Sequence, residues 1–168
     1  MLLALDLVEP VVSSRPGCVA ILGTAQALLQ RARAASVPVI FSVGRREDLA
    51  IHPALSRRDS EPVVGSSADK FYGTSLEALL RERDARVLCL FGMAAHGAVL
   101  YTAFAACARG FTVVVVEDAI CAHDPKGVEV ARWQLLHQPG FVNPENEPLR
   151  ERAVTLLSAA DITFGPPL

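Results

Sequence analysis

The chain has 168 residues, a hydrophobic content of 51% and a formal net charge of −2. This length and composition predict one domain with a full core, residues 1–168, and leave no room for a second domain of ordinary size. A net charge of −2 gives no reason to expect a nucleic acid as partner, because binding its phosphates needs a clustered excess of basic residues. The longest apolar runs are far too short to cross a bilayer.

Hydrophobic periodicity divides the chain into alternating strands and helices. Apolar runs predict strands at residues 2–8, 37–43, 86–91 and 111–116, with short strands at 63–64 and 162–164. Apolar residues at helical spacing predict helices at residues 17–35, 74–84, 96–108, 126–138 and 149–159. Thr74 and Glu77 have the spacing of a capping box. The alternation, almost without hairpin signals, predicts a mostly parallel sheet of about five to six strands with helices on both faces.

The four cysteines are scattered, with neither a CxxC pair nor metal-ligand spacing. Three of them lie in apolar strand or helix contexts, which indicates reduced, buried thiols and not a disulfide framework. The apolar start of the chain is interrupted by Asp6 and has no basic segment before it, so no targeting segment is predicted. Together these features predict a soluble, cytoplasmic protein.

Three candidate groups lie at the carboxyl ends of predicted strands, where open parallel sheets bind their ligands. They are Asp6, the turn at residues 94–98 and the acidic pair at residues 117–118. Because the turn runs into a helix, the amides of Gly97 and Ala98 lie at a helix N-terminus. Such amides favour negative charge and can form an oxyanion hole without any side chain.

Two of the candidate side chains have a structural as well as a functional interpretation. Asp6 is a carboxylate in an otherwise apolar strand, and burying it is costly unless it is paired or protonated. It either caps a loop amide or pairs with an arginine, or it belongs to a functional site. His96 either exchanges protons with a substrate or faces solvent or a subunit contact. Trp133 is predicted to lie in the core or at a subunit interface.

Residues 92–103 read GMAAHGAVLYTA, and residues 109–122 read RGFTVVVVEDAICA. These segments resemble the core signature of the isochorismatase-like hydrolase superfamily, which also contains nicotinamidases and N-carbamoylsarcosine amidases. Its cysteine hydrolases carry the motif Gly-x-x-Thr-x-x-Cys-Val, in which the cysteine is the nucleophile. Here Ala95 stands at the threonine position and Ala98 at the cysteine position, so the sequence resembles a Cys-less branch. The resemblance implies a three-layer α-β-α sandwich and a homo-oligomer.

The resemblance also implies roles for two charged residues. Asp6 matches the acid/base aspartate of the first strand. Lys70 begins the run KFYGTSLEALL, which resembles the family segment ending in Phe-x-Gly-Thr-x-Leu. In the commoner version the catalytic lysine lies further upstream, and an ungapped match puts it at Gly65. Lys70 therefore either takes that role through a shortened loop or is a solvated loop lysine.

Metal binding is not predicted, and neither is a cofactor. Nicotinamidases bind a metal through an Asp-x-His loop and a further histidine, whereas this chain reads GRRED at residues 44–48. His52 follows that loop without a partner at ligand spacing. Within the same loop Arg45 is a candidate for binding a substrate carboxylate through bidentate hydrogen bonds, the alternative being a solvated side chain.

Two functions from different classes remain. The first is an isochorismatase-like hydrolase that acts on a small molecule by Asp-based acid/base chemistry without a cysteine nucleophile, as superfamily members that hydrolyse a vinyl ether do. Its candidate catalytic residues are Asp6, Lys70 and His96, and its candidate substrate-binding residues are Ala95, Gly97, Ala98 and Arg45. The second is a catalytically inactive relative that binds a small carbonyl or carboxylate ligand or acts as an oligomeric scaffold. Convergence of Lys70 with Asp6 in one pocket favours the enzyme.

Overall fold

The computed structural model describes residues 1–45 and 49–165. A six-stranded sheet forms its centre. In chain order the elements are β1 (Leu2–Leu5), β2 (Val8–Glu9), α1 (Pro16–Ala20), α2 (Leu22–Ala34), β3 (Val39–Val43), β4 (Ala50–Ile51), β5 (Val63–Gly65), α3 (Leu76–Arg81), β6 (Val87–Met93), α4 (Leu100–Ala108), β7 (Thr112–Cys121), α5 (Pro125–His137) and β8 (Val154–Leu157).

The strand order in the large sheet is β5-β3-β1-β6-β7-β8, and every neighbouring pair is parallel. β1 lies at the centre, where Leu2 is in register with Val39 of β3 and Cys89 of β6. β2 and β4 form a separate antiparallel ribbon. The predicted mostly parallel sheet is therefore confirmed, and the short strand predicted at residues 63–64 is β5.

Helices cover both faces of the sheet, which is why its strands are apolar on both sides. Leu2 and Ala4 pack with α1 and α2, whereas Leu3 and Leu5 pack with α3, α4 and α5. This arrangement is the three-layer α-β-α sandwich. The longest helices of the described chain have 13 residues. No helix in that part of the chain has the length and apolar character needed to cross a membrane.

Two of the predicted elements near the C-terminus are wrong. The helix predicted at residues 149–159 is replaced by turns and β8, which pairs with β7 through Val113 and Val154. The apolar run of β8 fits either a buried helix or a strand buried on both faces. It forms a strand because it pairs with the edge of β7. The strand predicted at residues 162–164 joins no ladder in the described chain; it follows a short 3-10 turn, and Phe164 lies under the guanidinium of Arg31.

Three further predictions need correction near the centre of the chain. The helix predicted at residues 96–108 is divided into a wide turn, Ala95–Val99, and α4. The strand predicted at residues 111–116 continues to Cys121, because four residues of β7 bulge out opposite Phe91. The capping box does not form: Thr74 Oγ1 accepts from the amide of Leu76 at 3.2 Å, but the carboxylate of Glu77 pairs with Arg109 at 3.0 Å instead.

The expectation of four reduced thiols is also wrong. Cys18 and Cys121 form a disulfide with their Cα atoms 5.2 Å apart, because α1 packs on the carboxyl end of β7. Their separation of 103 residues gives no local sequence signal. Cys89 and Cys107 are free and buried, and burial raises the pKa of each thiol to about 12. Both therefore remain protonated and unreactive at neutral pH.

Candidate functional site

The candidate site lies at the carboxyl edge of the sheet, between β1 and β6. From this point the chain adds β3 and β5 on one side and β7 and β8 on the other. Such a reversal in strand order leaves a crevice in which open α/β sheets bind their ligands. Asp6 directly follows β1, and the turn that begins at Ala94 directly follows β6. The fold therefore brings two of the three predicted candidate groups together.

Gly92 allows β6 to approach β1 closely at this crevice. It has φ +124° and pairs with Leu5, and a Cβ atom at this position would overlap the carbonyl oxygen of Leu5. Only glycine fits, since other residues would be both strained and in collision with backbone. Asp6, the next residue after Leu5, has φ 49°, a left-handed conformation that aspartate tolerates better than most residues. The chain therefore turns out of the β1 strand at Asp6, the residue that carries the carboxylate.

Asp6 and Lys70 form an ion pair with an Nζ to Oδ2 distance of 2.7 Å. The second carboxylate oxygen, Oδ1, accepts a hydrogen bond of 2.8 Å from the hydroxyl of Ser42 at the end of β3. The Lys70 side chain is fully buried, whereas 20% of the Asp6 side chain is exposed. A ligand therefore reaches the carboxylate and not the ammonium group. Charge-assisted bonds of this kind are short and hold both groups in fixed positions.

The loop between β5 and α3 fixes Lys70 in this position. Its amide donates to Thr102 Oγ1 on α4 at 3.3 Å, and its carbonyl oxygen accepts from Thr74 Oγ1 at 2.6 Å. The ammonium group donates a further bond to the carbonyl oxygen of Ser66 at 3.2 Å. The interpretation of Lys70 as a solvated loop lysine is wrong, and among the described residues Asp6 pairs with no arginine. Lys70 converges with Asp6.

The turn after β6 carries small side chains that are buried in the core. Ala95 is fully buried, Ala98 is 5% exposed, and neither carries a polar group. The peptide bond between Met93 and Ala94 is cis. The amide of Gly97 donates to the carbonyl oxygen of Ala94 at 2.9 Å. The prediction that the Gly97 amide is available to a ligand is therefore wrong, because the turn already uses it.

His96 and Arg45 are both exposed and lie at the margin of the site. The imidazole of His96 packs so closely on Gly127 of α5 that a Cβ there would collide with it. Among the described residues no hydrogen bond joins His96 to Asp6 or Lys70. Arg45 lies beside the Lys70 loop, where its Nη2 atom would be 3.4 Å from a Cβ on Gly73. Residues 46–48 of the arginine loop lie outside the described residues.

The third predicted group, the acidic pair, has structural partners instead. Glu117 and Asp118 lie in the β7 bulge. The carboxylate of Glu117 pairs with Arg132 of α5 at 2.6 Å, and Asp118 Oδ1 accepts from the amide of Ala159 at 2.7 Å. Both side chains fasten neighbouring elements to the bulge, and the prediction that they belong to the site is wrong.

Both ring nitrogens of His52 contact protein groups. Its Nε2 atom lies 2.9 Å from Glu9, and its Nδ1 atom accepts from the amide of Ala54 at 3.2 Å. Within residues 1–45 and 49–165, no three histidine, cysteine, aspartate or glutamate side chains are arranged to hold a metal ion. The absence of a metal remains a prediction.

Two cavities of the described chain lie outside the Asp6–Lys70 pair. One of 340 Å³ is on the outer side of α2, next to Arg33, far from the carboxyl edge of the sheet. The other, of 390 Å³, is on the carboxyl edge beside β7, next to Arg15 and His123. Neither Asp6 nor Lys70 lines either cavity.

Ser42 is the partner of Asp6 that the sequence analysis missed. It is 2% exposed and is the only hydroxyl residue in the apolar run of β3. The argument that singled out Asp6, a polar group near the carboxyl end of a buried strand, applies to Ser42 equally. Thr102 and Ser66 carried no such signal, because a helix and a loop ordinarily contain hydroxyl residues.

Comparison with known proteins agrees with this fold. Residues 1–147 match the family described as the isochorismatase domain. A curated relative, the secreted isochorismatase effector Isc1 of Verticillium dahliae, is 31% identical over 121 residues, which are 62% of this chain and 62% of that protein. The matched region thus spans less than two thirds of that relative.

Solved structures resemble the chain over most of its length. An isochorismatase family protein from Burkholderia thailandensis has a TM-score of 0.77 at 24% identity, covering 96% of this chain and 92% of that one. N-carbamoylsarcosine amidase from Thermoplasma acidophilum has a TM-score of 0.79 at 20% identity, covering 96% of each chain. Nicotinamidase/pyrazinamidase PncA from Bacillus subtilis has a TM-score of 0.73 at 21% identity, covering 82% of this chain and 94% of that one. At these identities the likeness concerns the fold.

Proposed function

The chain belongs to the isochorismatase family, and on that premise we propose that it is a hydrolase that acts on a small molecule through Asp6 and Lys70, without a cysteine nucleophile. The observation that carries this proposal is the 2.7 Å ion pair at the crevice between β1 and β6. A buried ammonium group orients the carboxylate, and the carboxylate alone is open to a ligand. That is the arrangement a proton-transfer residue needs.

Ala98, at the position where the family's cysteine hydrolases carry their nucleophile, favours a hydrolysis that proceeds without a covalent intermediate. Covalent amide hydrolysis needs an activated nucleophile, and the methyl group of Ala98 supplies none. Hydrolysis of a vinyl ether needs none. The Asp6 carboxylate first takes up a proton from solvent as the substrate enters. The carboxyl group then gives that proton to the terminal alkene carbon, water adds to the resulting oxocarbenium ion, and the proton lost from that water returns to Asp6. The hemiketal then separates into an alcohol and a ketone, so one water is consumed overall.

The other candidate residues take secondary roles in this proposal. The Ala98 amide remains the candidate donor to a substrate oxygen, next to the buried Ala95. His96 has no proton-transfer step, because its ring packs on Gly127 and is not hydrogen-bonded to Asp6 or Lys70. Arg45, exposed beside the Lys70 loop, remains a candidate for contact with a substrate carboxylate.

We also propose that residues 1–168 are one domain, that the ligand is a small molecule without nucleic acid or membrane as partner, and that no cofactor takes part. β1 and β8, from opposite ends of the chain, lie in the same sheet, which supports the single domain.

A homo-oligomer is supported by Trp133, which is 64% exposed on α5; its placement in the core is wrong. Cytoplasmic location remains a proposal, and Isc1 is described as secreted.

A second candidate function is a catalytically inactive relative that binds a small ligand. The observation that favours it is the position of the 390 Å³ cavity, which neither Asp6 nor Lys70 lines. A ligand in that cavity alone would contact no proton-transfer group. The two functions differ in one measurable respect, since only the hydrolase requires the Asp6 carboxyl group.

The test is a substrate panel of enol ethers, primary amides and N-carbamoyl compounds, assayed with the wild-type chain, Asp6→Asn and Asp59→Asn. Asp59 is fully exposed in a loop and provides the matched control. We expect turnover of an enol ether, and a rate loss of roughly 10²- to 10⁴-fold in Asp6→Asn only, which is the usual contribution of a general acid or base. Equal rates in Asp6→Asn and the wild type would overturn the mechanism. No turnover of any compound would favour the inactive relative.

An Ala98→Cys variant tests the geometry of the turn independently of the substrate. Cys89 and Cys107 are unreactive because burial raises the pKa of each to about 12. Alkylation by iodoacetamide therefore reports the new thiol. At the start of a helix, it should react with an apparent pKa below the usual value of about 8.5. A thiol that reacts no faster than free cysteine would contradict a nucleophile-type turn at this position.

A further inference from the structure

The 390 Å³ cavity beside β7 has the size and composition of a small-molecule subsite. It lies between the start of α1 and the start of α5, and its volume is near the lower limit of ordinary ligand sites. Ile120, Ala122 and Val128 provide an apolar wall, and Arg15, Ser14 and His123 provide the polar groups. An apolar wall with a few convergent polar groups is typical of a site that binds an apolar body with one polar end.

The charge of this cavity favours an anion. Among residues 1–45 and 49–165, Arg15 and His123 are its ionisable lining groups, and no carboxylate lines it. The nearest acid in sequence, Asp124, is turned away: its Oδ1 atom accepts from the amide of Lys126 at 2.9 Å and caps α5. An arginine in a concave, partly apolar site without a counter-charge attracts a carboxylate or a similar planar anion.

Arg15 is held in place by groups that leave part of its guanidinium available. Nη1 donates to the carbonyl oxygen of Val11 at 2.8 Å, and Nε donates to His123 Nδ1 at 3.2 Å. Within residues 1–45 and 49–165, Nη2 has no hydrogen-bond partner. Because Nδ1 of His123 accepts, the neutral ring carries its proton on Nε2, which is a second donor. Little conformational freedom remains to be lost when an anion binds.

The cavity is close enough to Asp6 to hold one end of the same ligand. Cys121, in the cavity wall, is in register with Met93 of β6, and the preceding β6 residue, Gly92, is in register with Leu5. Asp6 and the cavity are therefore two strands apart, or about 10 Å at the usual strand spacing. Both lie on the carboxyl edge of the sheet.

We propose that this cavity is a subsite for the carboxylate end of a ligand with an apolar body, and that Arg15 and His123 bind that carboxylate. The identification of the ligand with the substrate rests on the proposed hydrolase; the anion subsite itself does not. The subsite assigns carboxylate recognition to Arg15, whereas the candidate from the sequence is Arg45. If the ligand is the substrate of the proposed hydrolase, its carboxylate lies about two strand spacings from the atom that reacts at Asp6.

The test compares benzoate with benzamide, which have nearly the same shape but differ in charge. Binding of each to the full chain is followed by calorimetry and by amide NMR shifts at Gly17 and Val128. Hydrogen bonds to a charged group contribute enough for benzoate to bind about tenfold to hundredfold more tightly than benzamide. Equal affinities, or shifts elsewhere on the surface, would overturn the proposal without any variant.

Variants then identify the residue responsible. Arg15→Met should reduce benzoate affinity to that of benzamide, whereas Arg83→Met, which removes an arginine at the amino edge of the sheet, should leave it unchanged. Asp6→Asn should bind benzoate within about twofold of the wild type, since it is not in the cavity. If Arg15→Met still bound benzoate as tightly as the wild type, the proposed subsite would be refuted. Loss of hydrolysis with benzoate binding retained in Asp6→Asn separates the catalytic proposal from this one.

Discussion

Removal of Asp6 should destabilise the protein more than removal of Lys70, because the two partners are unequally buried. Lys70 is fully buried, and without Asp6 its ammonium group retains, among the residues that the structure describes, one acceptor, the carbonyl oxygen of Ser66 at 3.2 Å. An uncompensated buried charge of this kind costs about 3–5 kcal/mol, which is the loss expected for Asp6→Ala.

Lys70→Met keeps the length and apolar stem of the side chain and removes its charge. The remaining Asp6 carboxylate is 20% exposed and still accepts the Ser42 hydrogen bond of 2.8 Å. The expected loss is therefore only about 1–2 kcal/mol. The free energy of unfolding of the double variant Asp6→Ala/Lys70→Met should be close to that of Lys70→Met alone, since the double variant leaves no unpaired buried charge. The coupling energy in this cycle is then about 3–5 kcal/mol in magnitude, the full cost of Asp6→Ala.

The measurement is urea unfolding at pH 7, followed by far-UV circular dichroism. Fluorescence is a poor probe here, because Trp133 is 64% exposed in the folded chain. Arg33 and Glu61 provide a matched control pair, with an Nε to Oε1 distance of 2.7 Å and equal side-chain exposure of 8%. Their two truncations should cost similar amounts. If Lys70→Met loses as much stability as Asp6→Ala, the argument from unequal burial is refuted.

Three other outcomes follow from the structure. Replacing Cys18 and Cys121 together by alanine, or reducing the wild type, should lower stability by about 4.7 kcal/mol for a loop of this length, given the separation of 103 residues; an unchanged urea midpoint in reductant would contradict the pairing. Gly92→Ala should cost roughly 3 kcal/mol or more through strain and overlap with β1, whereas Gly17→Ala, which meets open space, should be tolerated. For Glu61, burial alone would raise the pKa, but hydrogen bonds from its arginine neighbours lower it below 4.5. Its contribution is thus full above that pH and is lost as pH falls through the lower folded pKa, so the difference in stability between the wild type and Glu61→Gln should shrink between pH 7 and pH 3.

Asp6 and the crevice could be predicted from local features of the sequence. A single carboxylate in an apolar strand is conspicuous, and the carboxyl ends of parallel strands meet at one edge. The assignment of Lys70 needed more than its own surroundings, since a loop lysine has no periodic signal. It depended on the resemblance of the following FYGTSL run to a family segment. In the structure the loop brings Lys70 to Asp6, as expected if this loop is shorter than in the commoner family version.

The errors have a common physical origin in contacts that are distant in sequence. β8 was predicted as a helix because its apolar residues fit either period, and only the free edge of β7 selects the strand. The pairing of Cys18 with Cys121 depends on how α1 packs on β7. Neither of these outcomes is encoded within a window of a few residues.

The Asp6–Lys70 pair is difficult to explain by stability alone. Withdrawing a lysine completely from water carries a desolvation penalty of several kcal/mol, and an apolar side chain of similar volume commonly serves packing as well or better. The fold nevertheless surrounds this lysine with Ser66, Thr102 and Ser42, which belong to three different elements and hold the ammonium group, its backbone and the partner carboxylate. Such a shell keeps one carboxylate oriented and partly open at the crevice. Ala98 makes none of these contacts, so the proposed proton transfer at Asp6 would not depend on the residue at that position. For this reason we propose the hydrolase in preference to the inactive relative.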